Sequence, residues 1–179
     1  MSQAGEFERS QFALRTGPDE AVHSLNTSAD ATLWLMGHIR IRQQINASRE
    51  STWRHLSDLA SHPTWMKDAV SIEFVTKTDS GVGTTMRVPT KVGPFRTTDV
   101  IEVVSWHAGE SIGVEHRGIV SGVGEFRLSG DDRLSTIVWE EELTFPWWWG
   151  GRITAWWARP VLRWIWKGNL RRFAQIVTD

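Results

Sequence analysis

The feature that most constrains this chain is a change of hydrophobic period near Pro146. From Val70 to Phe145 apolar and polar residues alternate, the repeat of half-buried strands, with turns at hairpin spacing. Ile72 and Phe74 flank Glu73, Asp79-Ser80-Gly81 turns, Thr84, Met86 and Val88 share a face, and Gly93-Pro94 turns again. Phe95 to Trp106 reads as one long strand, with Val100, Glu102, Val104 and Trp106 on one face and Asp99, Ile101 and Val103 on the other. His107-Ala108-Gly109 leads to a face of Ile112, Val114 and His116. Gly130-Asp131-Asp132 is a hairpin turn, and Thr136 to Phe145 is the last strand. Beyond Pro146 the spacing becomes three and four. Leu162, Ile165, Trp166, Asn169, Leu170, Phe173, Ile176 and Val177 form one helical stripe. Arg163, Lys167 and Arg171, supported by Arg159 and Arg172, form a second. Pro160 either opens this helix as its first residue or kinks a longer one beginning near Arg152. Consecutive hairpins give an antiparallel sheet, and a lone amphipathic helix after them must bury its stripe on the sheet's concave face. The fold class is therefore α+β.

Upstream, Ile39, Ile41 and Ile45 alternate with polar residues and mark a first strand. Ser48 can cap a short helix with Glu50 in its first turn and Trp53 and Leu56 on its buried face. Asp58 can cap a second short helix, which His62-Pro63 should break or bend, because a proline disfavours α geometry in the residue before it. Residues 1–35 are polar and aperiodic and read as a flexible, dispensable arm, so that residues 36–179 form the domain. Cys is absent, which excludes a disulfide framework, Cys-zinc sites and a thiol nucleophile. A net charge of -1 supplies no global field for nucleic acid, so no nucleic-acid partner is expected. No signal-peptide pattern or apolar 18-residue span is present, and a cytoplasmic protein, in part peripheral to the membrane, is expected.

A particular set of segments carries a resemblance. They are Ile45-Asn46-Ala47-Ser48 running into Trp53-Arg54-His55-Leu56-Ser57-Asp58, then His62-Pro63-Thr64-Trp65-Met66 and Gly81-Val82-Gly83-Thr84. Thr136 to Leu143 through Phe145-Pro146, then Pro160 and Asn169-Leu170-Arg171-Arg172-Phe173, complete it. In this order and spacing, over roughly residues 38 to 177, the chain resembles the polyketide cyclase/dehydrase and lipid-transport superfamily, the helix-grip fold shared with START domains and birch-pollen-allergen-like proteins. The resemblance implies a curved antiparallel sheet of about six or seven strands, two short helices and a long C-terminal helix. It also implies a cavity between sheet and helix that takes an apolar small molecule or lipid. It names no ligand, because this fold hosts carriers, receptors and enzymes.

Glu141 is the sharpest candidate for chemistry. It shares a strand face with Ile137, Trp139, Leu143 and Phe145. On a concave face it would be a carboxylate in an apolar cavity, raised in pKa and suited to acid/base work; the alternative is a merely paired structural acid. His116 could meet it across the sheet and orient a polar ligand group, or be a satisfied structural histidine. His62 is expected to order the joint between the short helices. Met86, Ile101, Val114, His116, Trp139, Glu141, Trp157 and Trp166 are expected to line the cavity. Asp99, Arg87 and Arg96 are further polar candidates, each alone reading as a solvent-face charge, and Gly81-Val82-Gly83 and Gly122-Val123-Gly124 read as turn or bulge glycines that cradle no phosphate. No two His share a metal-ligand spacing on one element, so neither metal nor cofactor is expected. Of the 12 Trp, seven lie between Trp147 and Trp166. The 147–172 region can be a core helix with a solvated basic face, a cavity wall, or a surface resting on anionic lipid. Three functions stay open: a binding protein or carrier for a hydrophobic molecule, a cyclase/dehydratase using Glu141 and His116 as acid/base pair, and a membrane-surface accessory protein that handles lipid.

Overall fold

Strands and helices follow one another as the periods require. The computed structural model describes residues 38–145, 147 and 151–179. Its elements are β1 (Ile39–Ile45), α1 (Arg49–Ser57), a 3-10 helix (Leu59–Thr64), β2 (Glu73–Phe74), β3 (Thr85–Val92), β4 (Phe95–His107), β5 (Ser111–Arg117), β6 (Ser121–Gly130), β7 (Ser135–Thr144) and α2 (Gly151–Thr178). The expected arm and Trp148 and Trp149 lie outside the described residues; the chain from Met36 to Asp179 forms a compact unit of its own.

The seven strands make one antiparallel sheet in the order β1-β7-β6-β5-β4-β3-β2. Strands β2 to β7 form a meander, and β1 closes it by pairing with β7, Ile41 opposite Trp139. The outer face is charged: Arg40 and Arg127 both bridge Glu140, and Arg127 also holds Glu125. The inner face is apolar. Met86, Val88, Val103, Ile112, Phe126, Leu128, Ile137 and Trp139 are all buried.

Ser48 caps α1 through its hydroxyl, which accepts from the Ser51 amide at 3.1 Å. The fully buried residues of α1 are Thr52 and Leu56, one turn apart, with Trp53 at the edge. The Thr52 and Ser135 hydroxyls meet at 2.7 Å and pin α1 over the start of β7. Asp58 precedes the next turn but its side chain makes no cap. That turn is 3-10, not α, and it runs through Pro63 to Thr64 instead of breaking at His62. A 3-10 turn takes its hydrogen bonds three residues apart, and its short run accommodates the ring.

Helix α2 is the longer of the two alternatives, with Pro160 in its interior. An interior proline costs a helix roughly 3 kcal/mol, so tertiary packing must hold this one together. The packing is C-terminal to Pro160. Trp166, Asn169, Leu170, Phe173 and Val177 are buried, while Ile176, expected on the same stripe, is at its exposed edge. Phe173 meets Trp65 at 4.9 Å, and Trp166 stacks on Trp139 of β7 at 4.9 Å. Asp68 accepts the Trp166 indole N–H at 3.0 Å and the Asn169 amide at 2.6 Å. Arg172, expected on the solvated basic stripe, instead donates to the Trp65 carbonyl at 3.0 Å and ties the helix to the chain after the 3-10 turn.

Two expectations about faces need correction. Trp106 was placed with Val100 and Glu102. A bulge between Val103 and Ser105 adds one residue to β4, so Trp106 pairs with Ile112 and returns to the inner face, edge-on to Trp53. Gly122 and Gly124 are neither turn nor bulge residues, since both lie inside β6 and pair in continuous register with β5 and β7.

Candidate functional site

The concave face and α2 enclose a cavity of about 710 Å³. Its walls come from every long strand of the meander, from the 3-10 turn through His62, and from α2 on both sides of Pro160. Met86, Ile101, Val114, His116, Trp139, Glu141, Trp157 and Trp166 all line it. They do so unequally: Met86, Trp139, Glu141 and Trp166 are buried, whereas Trp157 is 67 % exposed and stands at the edge.

Three ionisable groups, Asp99, His116 and Glu141, lie on the β4, β5 and β7 side. His116 on β5 and Glu141 on β7 are not on adjacent strands, because β6 runs between them. Gly124 of β6 pairs with both Val114 and Glu141, and a β-carbon there would collide with the Glu141 carboxylate. The missing side chain lets the carboxylate reach across, and His116 Nε2 lies 2.8 Å from Glu141 Oε1. Glu141 Oε2 accepts the Trp139 indole N–H at 3.0 Å, so each carboxylate oxygen has a partner.

Burial opposes a proton on His116. The hydrogen bond to Glu141, the charge of Glu141 and that of Asp99 outweigh it and push the imidazole above its ordinary range. Asp99 is therefore not the solvent-face charge its residue type suggested. It is 8 % exposed and lines the cavity. Burial raises its pKa, against the opposing effects of the His116 charge and a hydrogen bond from Thr97. The Thr97 hydroxyl reaches Asp99 Oδ2 at 3.3 Å, and Oδ1 has no hydrogen-bond partner. Its parity with Ile101 and Val103 was the available signal. Arg87 and Arg96 are exposed, as expected.

His62 lines the same cavity in a different state. Its ring packs on Trp65 at 4.8 Å, and Nε2 lies 2.8 Å from the Leu56 carbonyl. Burial pushes its pKa down to about 4, against that backbone bond and the more distant Asp58. Asp68 carries no sequence signal, because it sits in an irregular segment with no periodicity. Among the described residues no group of three or more His, Cys, Asp or Glu side chains could hold a metal ion, and no helix is long and apolar enough to cross a membrane.

A curved antiparallel sheet gripping one long helix, with two short helical turns ahead of the meander and a cavity between, defines a helix-grip protein. Sequence agrees: the polyketide cyclase/dehydrase and lipid transport family matches residues 36–178, and this chain belongs to that family. No curated protein matches it. Among solved structures it is similar to a conserved protein from Geobacillus kaustophilus, at a TM-score of 0.65 and 12 % identity over 79 % of this chain and 95 % of that one. A Thermus thermophilus protein gives a TM-score of 0.63 at 18 % identity over 79 % and 97 %. An aromatase/cyclase from a Streptomyces species gives 0.54 at 16 % over 61 % and 68 %. At these identities the likenesses establish the fold alone.

Proposed function

We propose that this protein binds a hydrophobic small molecule or lipid between the sheet and α2. The cavity carries the reading. At about 710 Å³ it falls within the ~300–1,000 Å³ of ordinary ligand sites, with apolar walls and a few convergent polar groups. The family description, which includes lipid transport, supports it. Native mass spectrometry of the purified protein should find a copurified ligand. The neutral fluorophore N-phenyl-1-naphthylamine should gain emission on uptake and quench Trp fluorescence. A bare mass together with no uptake would remove the reading.

A second reading has its own observation. The contact between His116 and Glu141 is an acid/base pair inside the cavity, and the family description includes cyclases and dehydrases. In such a reaction the pair would take a proton from a carbon acidified by neighbouring carbonyls and protonate a departing hydroxyl, which leaves as water. Glu141→Gln should then abolish turnover of a polyketide-type substrate while binding survives. Loss of both together would favour a binding role.

Peripheral membrane contact is supported by α2. From Gly151 to Thr178 the helix holds six Lys+Arg and no Asp or Glu, in a chain with 21 acids. Trp156, Trp157 and Trp164 are 67 %, 67 % and 77 % exposed. Trp favours the bilayer interface and cations favour anionic headgroups. Sedimentation with phosphatidylserine-containing vesicles, but not with pure phosphatidylcholine, is the expected result; equal or absent sedimentation would dismiss it.

A further inference from the structure

We propose that the Asp99 end of the cavity recognises a hydroxyl donor, so that the ligand is a neutral apolar molecule with one alcohol or phenol group and not a fatty-acid-type anion. The proposal rests on the reading of the cavity as a ligand site.

Three buried side-chain atoms among the described residues lack a hydrogen-bond partner: Trp65 Nε1, Thr84 Oγ1 and Asp99 Oδ1. Of these residues only Asp99 lines the cavity, and it is more than nine-tenths buried. Native proteins satisfy nearly all buried polar atoms, so an acceptor left open at a ligand site marks where the ligand supplies the donor. The neighbouring groups are already committed. Glu141 holds His116 with one oxygen and Trp139 with the other. Asp99 Oδ2 has Thr97. Gly118 makes room for the Asp99 carboxylate, since a β-carbon there would fall 2.5 Å from Oδ1.

Charge excludes the anion. Among the described residues the cavity lining contains Asp68, Asp99 and Glu141 but neither Lys nor Arg. Its two histidines offer no spare positive charge: His116 is matched to Glu141, and burial keeps His62 neutral. A ligand carboxylate would lose its hydration and find no cation. A cationic amine fits less well than a hydroxyl, because burial favours the uncharged form of Asp99. A hydroxyl satisfies the open oxygen and can accept in return when the carboxyl carries its proton.

The test is displacement of N-phenyl-1-naphthylamine from the full chain, near neutral pH, by 1-decanol, its methyl ether, decanoate and decylamine. The ether keeps the chain and an acceptor oxygen but lacks the donor. Decanol should displace the probe at about tenfold lower concentration than any of the others, the scale of one hydrogen bond to a buried carboxyl. Asp99→Leu should bring decanol and its ether to within about twofold of each other, and Asp99→Asn, which keeps an acceptor oxygen, should retain the preference. Equal displacement by alcohol and ether in the native protein overturns the proposal without any variant having to fold. A preference for decanoate or decylamine also overturns it, as does a preference that survives Asp99→Leu. Absence of probe uptake by the native protein would instead remove the cavity reading and this assignment with it.

Discussion

Among the described residues two histidines line the cavity, His62 at the end where α2 is packed and His116 among the acids of β4 and β7. Both are largely removed from water, yet burial pushes one down to about 4 while the other titrates above its ordinary range. The difference lies in what each ring nitrogen meets. His62 meets a backbone carbonyl and aromatic rings, and the carbonyl's pull toward the charged form is too weak to offset burial. His116 meets a carboxylate, with a second one near enough to act on it. Burial alone strips charge, and burial beside an aligned acid keeps it. The two ends also differ in completeness. The packed end interlocks Trp65, Phe173, Trp139 and Trp166, and the acidic end leaves a buried oxygen of Asp99 without a hydrogen-bond partner.

The sharpest way to break this contrast is to delete volume at each end. Phe173→Ala, at a fully buried position, should cost about 3–5 kcal/mol in urea unfolding. Val114→Ala borders space that is already empty and should cost about 1.5 kcal/mol or less. Comparable losses would mean that the cavity is closed by packing.

Acid separates the histidines next. The folded-state pKa of His62 lies below its unfolded value of 6.5, so the unfolded chain binds the extra proton as pH falls from 6.5 to about 4. Its contribution is full above 6.5 and is lost over that window, a loss of about 3 kcal/mol. His116 has the opposite sign. Its raised pKa contributes stability that is present below 6.5 and lost as pH rises through the folded value. The difference between wild type and His62→Gln, followed by chemical denaturation through the window, should isolate the first slope. Parallel curves would show that His62 is not neutral.

At the acidic end, Glu141→Gln keeps volume and removes charge. The His116 titration, followed by NMR, should fall, and ligand affinity should drop by roughly 1–3 kcal/mol. An unchanged His116 titration would mean that the pair is not charged. The smallest effects belong to the outside. Trp164→Ser, on the exposed face of α2, should alter stability by less than about 0.5 kcal/mol while weakening vesicle binding. Removing residues 1–35, ahead of the compact unit that starts at Met36, should leave the melting temperature within about 2 °C.

The strands and the closing helix were legible because the period of two and the spacing of three and four are imposed by burial on one face. Parity also placed Glu141 and His116 on faces that could meet. What parity could not supply was the count of residues along β4: one unpaired residue at Val104 sent Trp106 to the other face. Asp99 was misread for a different reason. Its position puts it among Ile101 and Val103, and that alternation outranks the general habit by which aspartates on long strands face solvent. Asp68 and the Arg172 anchor act through irregular backbone, where contacts with α2 are decided by tertiary approach and leave no repeat in the chain.

The bulge in β4 bears on how this chain can change length. Val104 and Ser105 together oppose Gly113, so Val104 is a spare link in the ladder. Its loss would remove a local kink and leave Ser105, Trp106 and His107 against the partners they have now. Loss of a neighbour such as Ile101 would invert one arm of the strand and drive Asp99 out of the cavity or draw Val100 into it. A one-residue deletion at Val104 would thus preserve both faces of a strand 13 residues long, and lineages lacking that residue would keep the same two faces.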